Sequence, residues 1–209
     1  MTMLRRLFVL VLASALWPAC AAPVDAAPPR TEQAVLAGGC FWGIEAVFEQ
    51  LRGVSAVVAG FSGGDASTAH YDVVENGTTG HAESVRITFD PAVISYRQLL
   101  RVYFTVAHDP TELDRQGPDQ GTQYRSAIFY ANDAQRRDAE ESIRELTAAH
   151  AFAAPIVTQV VPLRGFYPAE AYHQHFVERH PDYPYVVIND VPKLDALRKK
   201  FPALVKSNG

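Results

Sequence analysis

The sequence predicts an α+β fold, a two-layer sandwich built on a mixed, mostly antiparallel sheet, on three observations. Short apolar runs with strand character alternate with helical patterns along the chain. No Gly-x-Gly-x-x-Gly follows any strand, which argues against a doubly wound nucleotide fold. The composition, 48% hydrophobic and 20% charged over 209 residues, is that of one globular domain, with no internal repeat or composition break after residue 30.

Taken in order, Ala34–Ala37 is a short apolar strand ended by Gly38-Gly39, and Ile44, Val47, Phe48 and Leu51 then recur at helical spacing. Val54 to Phe61 reads as a second strand closed by Gly63-Gly64. Val85, Ile87 and Phe89 alternate with Arg86 and Thr88 as a half-buried strand stopped at Asp90-Pro91. Ser95 caps a helix whose stripe is Leu99, Leu100, Val102, Tyr103 and Val106. The polar segment from His108 to Gln123 is long for a connection and is a candidate functional loop. Ser126 to Tyr130 resumes strand character, and Asn132 or Asp133 caps a charged helix to about His150. Val157 to Val161 is a further strand, and Pro168 opens a helix through Val177.

A formal net charge of −4 with no basic block argues against nucleic acid as a partner. The start of the chain, Arg5-Arg6 followed by the apolar run Leu7–Leu16 and Ala19-Cys20-Ala21, has the three parts of a secretory signal peptide. Residues 1–21 are therefore expected to be a cleaved leader, 22–30 a Pro- and Ala-rich flexible tether, and 31–209 a single catalytic domain exported to a bacterial periplasm. A rival reading makes Cys20 the lipid-modified first residue of a lipoprotein, which Trp17 and Pro18 fit poorly. Cleavage after Ala21 removes Cys20 and both methionines, Met1 and Met3, and leaves Cys40 as the remaining cysteine.

Cys40 follows two glycines at the expected N-terminus of a helix, where unpaired N–H groups and the helix dipole favour a thiolate. The competing reading is a buried, inert cysteine. Phe41 and Trp42 are either core aromatics or the walls of an apolar pocket for a small alkyl group. Tyr71, His81 and Glu83 surround a turn into a strand. Glu83 there is either an edge charge or, if it faces the cysteine from an apolar wall, a proton donor raised in pKa by desolvation. Asp119, Tyr124 and Arg125 lie in a polar stretch ahead of the next strand. His173 and His175, two apart, face different sides, and no histidine spacing matches a strong zinc motif, so no metal is expected. His81 or His173 as a base for Cys40 would make a Cys–His hydrolase, and a thiol-bearing binding module without turnover is a third alternative.

Six segments, Gly39-Cys40-Phe41-Trp42-Gly43, Gly60-Phe61-Ser62-Gly63-Gly64, Thr79-Gly80-His81-Ala82-Glu83, His108-Asp109-Pro110-Thr111, Arg115-Gln116-Gly117 and Gly121-Thr122-Gln123-Tyr124-Arg125-Ser126, stand in one order. With Ala171-Tyr172-His173-Gln174 they resemble the peptide methionine sulfoxide reductase A family over about residues 33 to 180. The resemblance implies an α/β plait related to the ferredoxin-like sandwich and reduction of methionine S-sulfoxide, free or in proteins, without a bound cofactor. It implies Cys40 as nucleophile, Glu83 as acid, Tyr71 and Tyr124 as donors to the sulfoxide oxygen, and Phe41 and Trp42 as the methyl pocket. Asp119 and His173 match further residues beside the site. Many relatives carry a resolving cysteine near the C-terminus. Here Tyr185 stands near that position and no cysteine follows Cys40, so an external, thioredoxin-like thiol is expected to recycle a monomeric enzyme.

Overall fold

The computed structural model describes residues 31–207; the expected leader, the tether and Cys20 lie outside the described residues. In chain order the regular elements are β1 (Glu32–Ala37), α1 (Phe41–Glu49), β2 (Val54–Ser62), α2 (Tyr71–Val74), β3 (Ala82–Phe89), α3 (Tyr96–Val102), β4 (Arg115–Gln116) and β5 (Asp119–Gln120). They continue as β6 (Ala127–Tyr130), α4 (Asp133–Ala148), β7 (Gln159–Pro162), β8 (Tyr167–Pro168), α5 (Phe176–Arg179) and α6 (Val191–Lys200).

Six strands form one sheet in the order β7-β6-β1-β3-β2-β8, antiparallel throughout except for the β6–β7 pair. The mixed, mostly antiparallel α+β sandwich is therefore observed. Side chains alternate across a strand, so Ala34 and Leu36 of β1 face one side with Val57, Ala59 and Phe61 of β2 and Val85, Ile87 and Phe89 of β3. Helices α1 and α3 cover that side through Ile44, Val47, Phe48, Leu99, Leu100 and Val102, in one continuous buried cluster. The opposite side is smaller: Val35, Ala37, Ala82, Ala127 and Phe129 lie under Val161, Leu163 and Phe166. Strand β1 is thus apolar on both sides, which is why it reads as an unbroken apolar run.

Local signals hold where they are capping signals. Ser95 and Gln98 exchange bonds in a capping box at α3, and the Asn132 side chain accepts from the Gln135 N–H at the start of α4. Helix α3 gives way to a wider π turn over Tyr103–Ala107, which delivers His108 to the end of β1. The segment expected as a loop carries the small β4–β5 hairpin and a 3-10 turn over Thr122–Tyr124.

The helix expected from Pro168 to Val177 is corrected. Tyr167 and Pro168 instead pair with Phe61 and Gly60 as edge strand β8, and Ala169 N–H continues the pairing to the Ala59 carbonyl. Gln174 clamps the following turn to Ala59 with two side-chain bonds of 2.9 Å. His175 then adopts a left-handed conformation (φ 52), so helix forms only from Phe176. An open edge on β2 outcompeted the helix-start preference of proline.

Candidate active site

The turn between β1 and α1 is built for close approach. Gly39 has φ 97, and a Cβ there would sit 2.6 Å from the Gln116 side chain; one on Gly38 would sit 2.7 Å from the His108 ring. The His108 ring is itself fixed, Nδ1 to the Tyr103 carbonyl and Nε2 to Ser126 Oγ, and burial lowers its pKa to about 4. Two glycines thus let a neutral histidine and a glutamine pack directly under the turn that places Cys40 at the N-cap of α1.

Glu83 lies under the first turn of α1. It is the fourth member of the β3 phase that contains Val85, Ile87 and Phe89, so it points into the apolar, helix-covered side and stands opposite Phe61 of β2. Only 2% of it is exposed, and its Oε2 accepts from the Phe41 N–H at 3.1 Å. Burial pushes its pKa up to about 8, opposed by that N–H and reinforced by Asp119. Glu83 therefore carries its proton at neutral pH, as an acid in this position must.

The expected low-pKa thiol is corrected. Burial and the neighbouring Glu83 push the Cys40 thiol well up, while the Trp42 N–H and Lys193 act in the opposite direction. The helix terminus is present, but removal from water outweighs it. The resting site holds a thiol beside a carboxylic acid.

Tyr71 at the start of α2 and Tyr124 in the 3-10 turn are half-buried, and both phenols are raised by burial and by Glu83, with Cys40 also within electrostatic reach. Their two segments are tied together: Thr122 Oγ1 donates to the Gly77 carbonyl at 2.7 Å and Gln123 Nε2 to the Glu75 carbonyl at 2.9 Å. Arg125 completes the staple through the carbonyls of Gly80 and His81, just ahead of Glu83. The polar stretch around Tyr124 is therefore structural wiring for two phenols and one carboxyl.

Phe41 is buried against Phe61 and the His173 ring. Trp42 donates through Nε1 to His173 Nδ1 at 3.1 Å, stacks on Phe176 at 3.7 Å and meets the edge of Tyr185. Since the indole only donates, the His173 proton sits on Nε2, which is buried without a partner; burial lowers the ring's pKa. Tyr71 lies 4.3 Å from the same ring. Asp119 accepts from the Tyr185 hydroxyl and feels Lys193. All eight sequence-derived residues meet around one helix turn. Tyr185, noted in the sequence for its position alone, also belongs here, because the fold brings the C-terminal segment back over Cys40.

Neither proposed hydrolase base is available. His81 takes the Gly64 N–H on Nδ1 and contacts the Asp65 carbonyl through Nε2, and among the described residues no hydrogen bond joins Cys40 to an imidazole. His173 Nδ1 is spent on Trp42.

A sequence profile described as Peptide methionine sulfoxide reductase matches residues 32–204. The chain belongs to that family. Peptide methionine sulfoxide reductase MsrA 2 of Mesorhizobium japonicum is 53% identical over 180 residues, 86% of this chain and 92% of that protein. MsrA 2 of Synechocystis is 50% identical over 185 residues, covering 88% and 86%. Among solved structures, reduced Mxr1 from Saccharomyces cerevisiae matches with a TM-score of 0.69 at 32% identity over 75% of this chain and 90% of that one. Methionine sulfoxide reductase A of Corynebacterium diphtheriae gives 0.63 at 35% identity, over 74% and 77%. As a member of the peptide methionine sulfoxide reductase family the chain is an oxidoreductase, and all eight site residues fall inside the matched region.

Proposed function

We propose that the chain reduces methionine S-sulfoxide, free or in proteins, to methionine, with Cys40 as nucleophile and Glu83 as proton donor. The observation that carries this is the protonated, buried Glu83 fixed to the backbone beside the cysteine. Sulfoxide sulfur is weakly electrophilic, so attack needs hydrogen bonding or proton transfer to its oxygen as charge develops there. Glu83 and the hydroxyls of Tyr71 and Tyr124 supply it, while Phe41 and Trp42, backed by His173, hold the terminal methyl. Asp119 and Tyr185 close the other side. The Cys40 sulfur bonds to the sulfoxide sulfur, and the oxygen ends on Cys40: thiol plus sulfoxide give sulfenic acid plus methionine.

Two electrons must then return. Cys40 is the free cysteine of the described residues, and Tyr185, near the position where many relatives carry a resolving cysteine, donates to Asp119 instead. Two equivalents of an external thiol reduce the sulfenic acid to thiol and water, leaving their own disulfide. A cavity of about 270 Å³ lined by Cys40, Gln116, Tyr185 and Lys193 is the route of entry. Mxr1 has been solved in complex with Trx2, which supports a thioredoxin-like donor here. We propose as well that the chain acts as a monomer and is exported with residues 1–21 removed, the latter on the basic, apolar and small-residue parts of a signal peptide at its start.

Incubation with methionine S-sulfoxide and excess dithiothreitol is expected to give many turnovers, lost in Cys40→Ser. A single stoichiometric turnover would favour a binding module instead. Intact mass of the exported protein checks its start: a retained Cys20 or a lipid mass would overturn the cleavage.

A further inference from the structure

Away from Cys40, the last turn of α1 meets the segment that follows β8. Glu45 and Glu49 are four residues apart on α1 and so share one side of the helix. The chain returns to that side at His175, 126 residues from Glu49, in the left-handed conformation that breaks the expected helix. The His175 N–H donates to Glu45 Oε2 at 2.8 Å, and its Nδ1 lies 2.5 Å from Glu49 Oε1. One imidazole nitrogen and one oxygen from each carboxylate lie within 4.8 Å of one another.

Two further facts mark the cluster. Glu45 is 0% exposed, yet its Oε1 has no hydrogen-bond partner. A buried carboxylate oxygen without a donor is costly and uncommon. The two carboxylates are also only partly compensated: burial and Glu49 push Glu45 up to about 7 and burial raises Glu49, with Glu178 adding to the repulsion, while His175 on both, the Ala59 backbone on Glu45 and Lys206 on Glu49 act in the opposite direction. Lys206, the nearby cation, donates its Nζ to the Glu49 backbone carbonyl, not to the carboxylate.

We propose that Glu45, Glu49 and His175 bind a divalent transition ion of the zinc class. One imidazole and two carboxylates are a donor set such an ion takes, and a cleft of about 790 Å³ lined by Glu49 and His175 leaves the remaining position to water. Ligands about 2.0–2.2 Å from the ion require donors a little over 3 Å apart. Small side-chain adjustments that open the 2.5 Å contact and even out the spacing of donors already within 4.8 Å of one another achieve this. The ion takes no part in the transfer of oxygen. It ties α1, which carries Cys40 and Trp42, to the segment that carries His173, two residues before His175. The histidine spacings in the sequence gave no hint of it, because two of the ligands are carboxylates on a distant helix.

The test uses the untagged full chain with Cys20→Ser and Cys40→Ser, so that neither thiol competes, stripped with EDTA and titrated with Co(II) and then Zn(II). One equivalent of Co(II) is expected, with ligand-field bands, no sulfur charge-transfer band and displacement by Zn(II). His175→Ala and Glu49→Gln, both changes at the partly exposed rim, are each expected to weaken binding by more than about tenfold. Zn(II) raises the unfolding midpoint of the parent and not of those variants. Failure of the folded parent to bind one equivalent, or undiminished binding in both variants, overturns the site and leaves a histidine–carboxylate pair.

Discussion

Glu83, under the first turn of α1, and Glu45, on α1 itself, are two buried carboxyls, and the difference between them lies in what surrounds each. Both are almost wholly withdrawn from water, and burial raises both, to about 8 and about 7. Glu83 sits among apolar strand neighbours with one backbone N–H and two phenols nearby, within electrostatic reach of Cys40. Glu45 sits with a second glutamate and a histidine, and one of its two oxygens is buried without a hydrogen-bond partner. Desolvation alone makes a carboxyl hold a proton; the neighbours decide whether that proton is a reagent or a stand-in for a cation.

The largest effect that would break this comparison is on chemistry. Glu83→Gln keeps the shape but cannot transfer a proton, and single-turnover formation of methionine is expected to slow about 10²- to 10³-fold. In the parent the same step is expected to fall as pH rises through about 8, since the donating form exists below that value and is lost above it. An unchanged rate in Glu83→Gln, or the same alkaline limb in both proteins, removes Glu83 from the acid role. A smaller change sharpens the point. Tyr124→Phe leaves Glu83 and Tyr71 in place, so a loss of about tenfold is expected, short of what removing a main oxyanion donor costs. No loss would mean that the Thr122–Tyr124 turn only shapes the pocket.

The smallest effect concerns stability. A carboxyl whose folded pKa is raised favours the folded state fully below its unfolded value, and that contribution fades as pH rises through the folded value. Between the ordinary glutamate range and about 7 the parent is therefore expected to lose stability at Glu45, in metal-free buffer, and Glu45→Gln to lose less. The difference is expected to be about 1–2 kcal/mol, well inside the limit that 1.36 kcal/mol per pH unit sets. Urea unfolding at pH values on either side of that window measures it; parallel curves would mean that Glu45 is solvated or already paired.

Much of this was legible in the residues. Strong local signals, such as the Ser95–Gln98 box, the Asn132 cap and the glycines before Cys40, gave elements close to those observed, because capping and turn chemistry act over three or four residues. The sequence left Glu83 open between an edge charge and an inward acid; the β2–β3 register extends the phase of Val85, Ile87 and Phe89 back to it and decides for the second. The Pro168 helix failed because the free edge of β2 lies far away in sequence and satisfied the backbone first. The low thiol pKa failed for a related reason: a helix terminus is local, whereas burial of Cys40 depends on the whole sheet and on the C-terminal segment folded over it.

By itself the sequence determined which residues are candidates for the chemistry, the alternation that makes an α+β sandwich, and a single cysteine beyond Cys20. The tertiary structure alone decided protonation and assembly. It left Cys40 a thiol and Glu83 an acid, neutralised His173 through Trp42, and set Tyr185 over the site. It also brought His175 to Glu45 and Glu49. Residue type and spacing are written in the chain, but the dielectric around a group and its partners across long loops exist only once distant segments have packed.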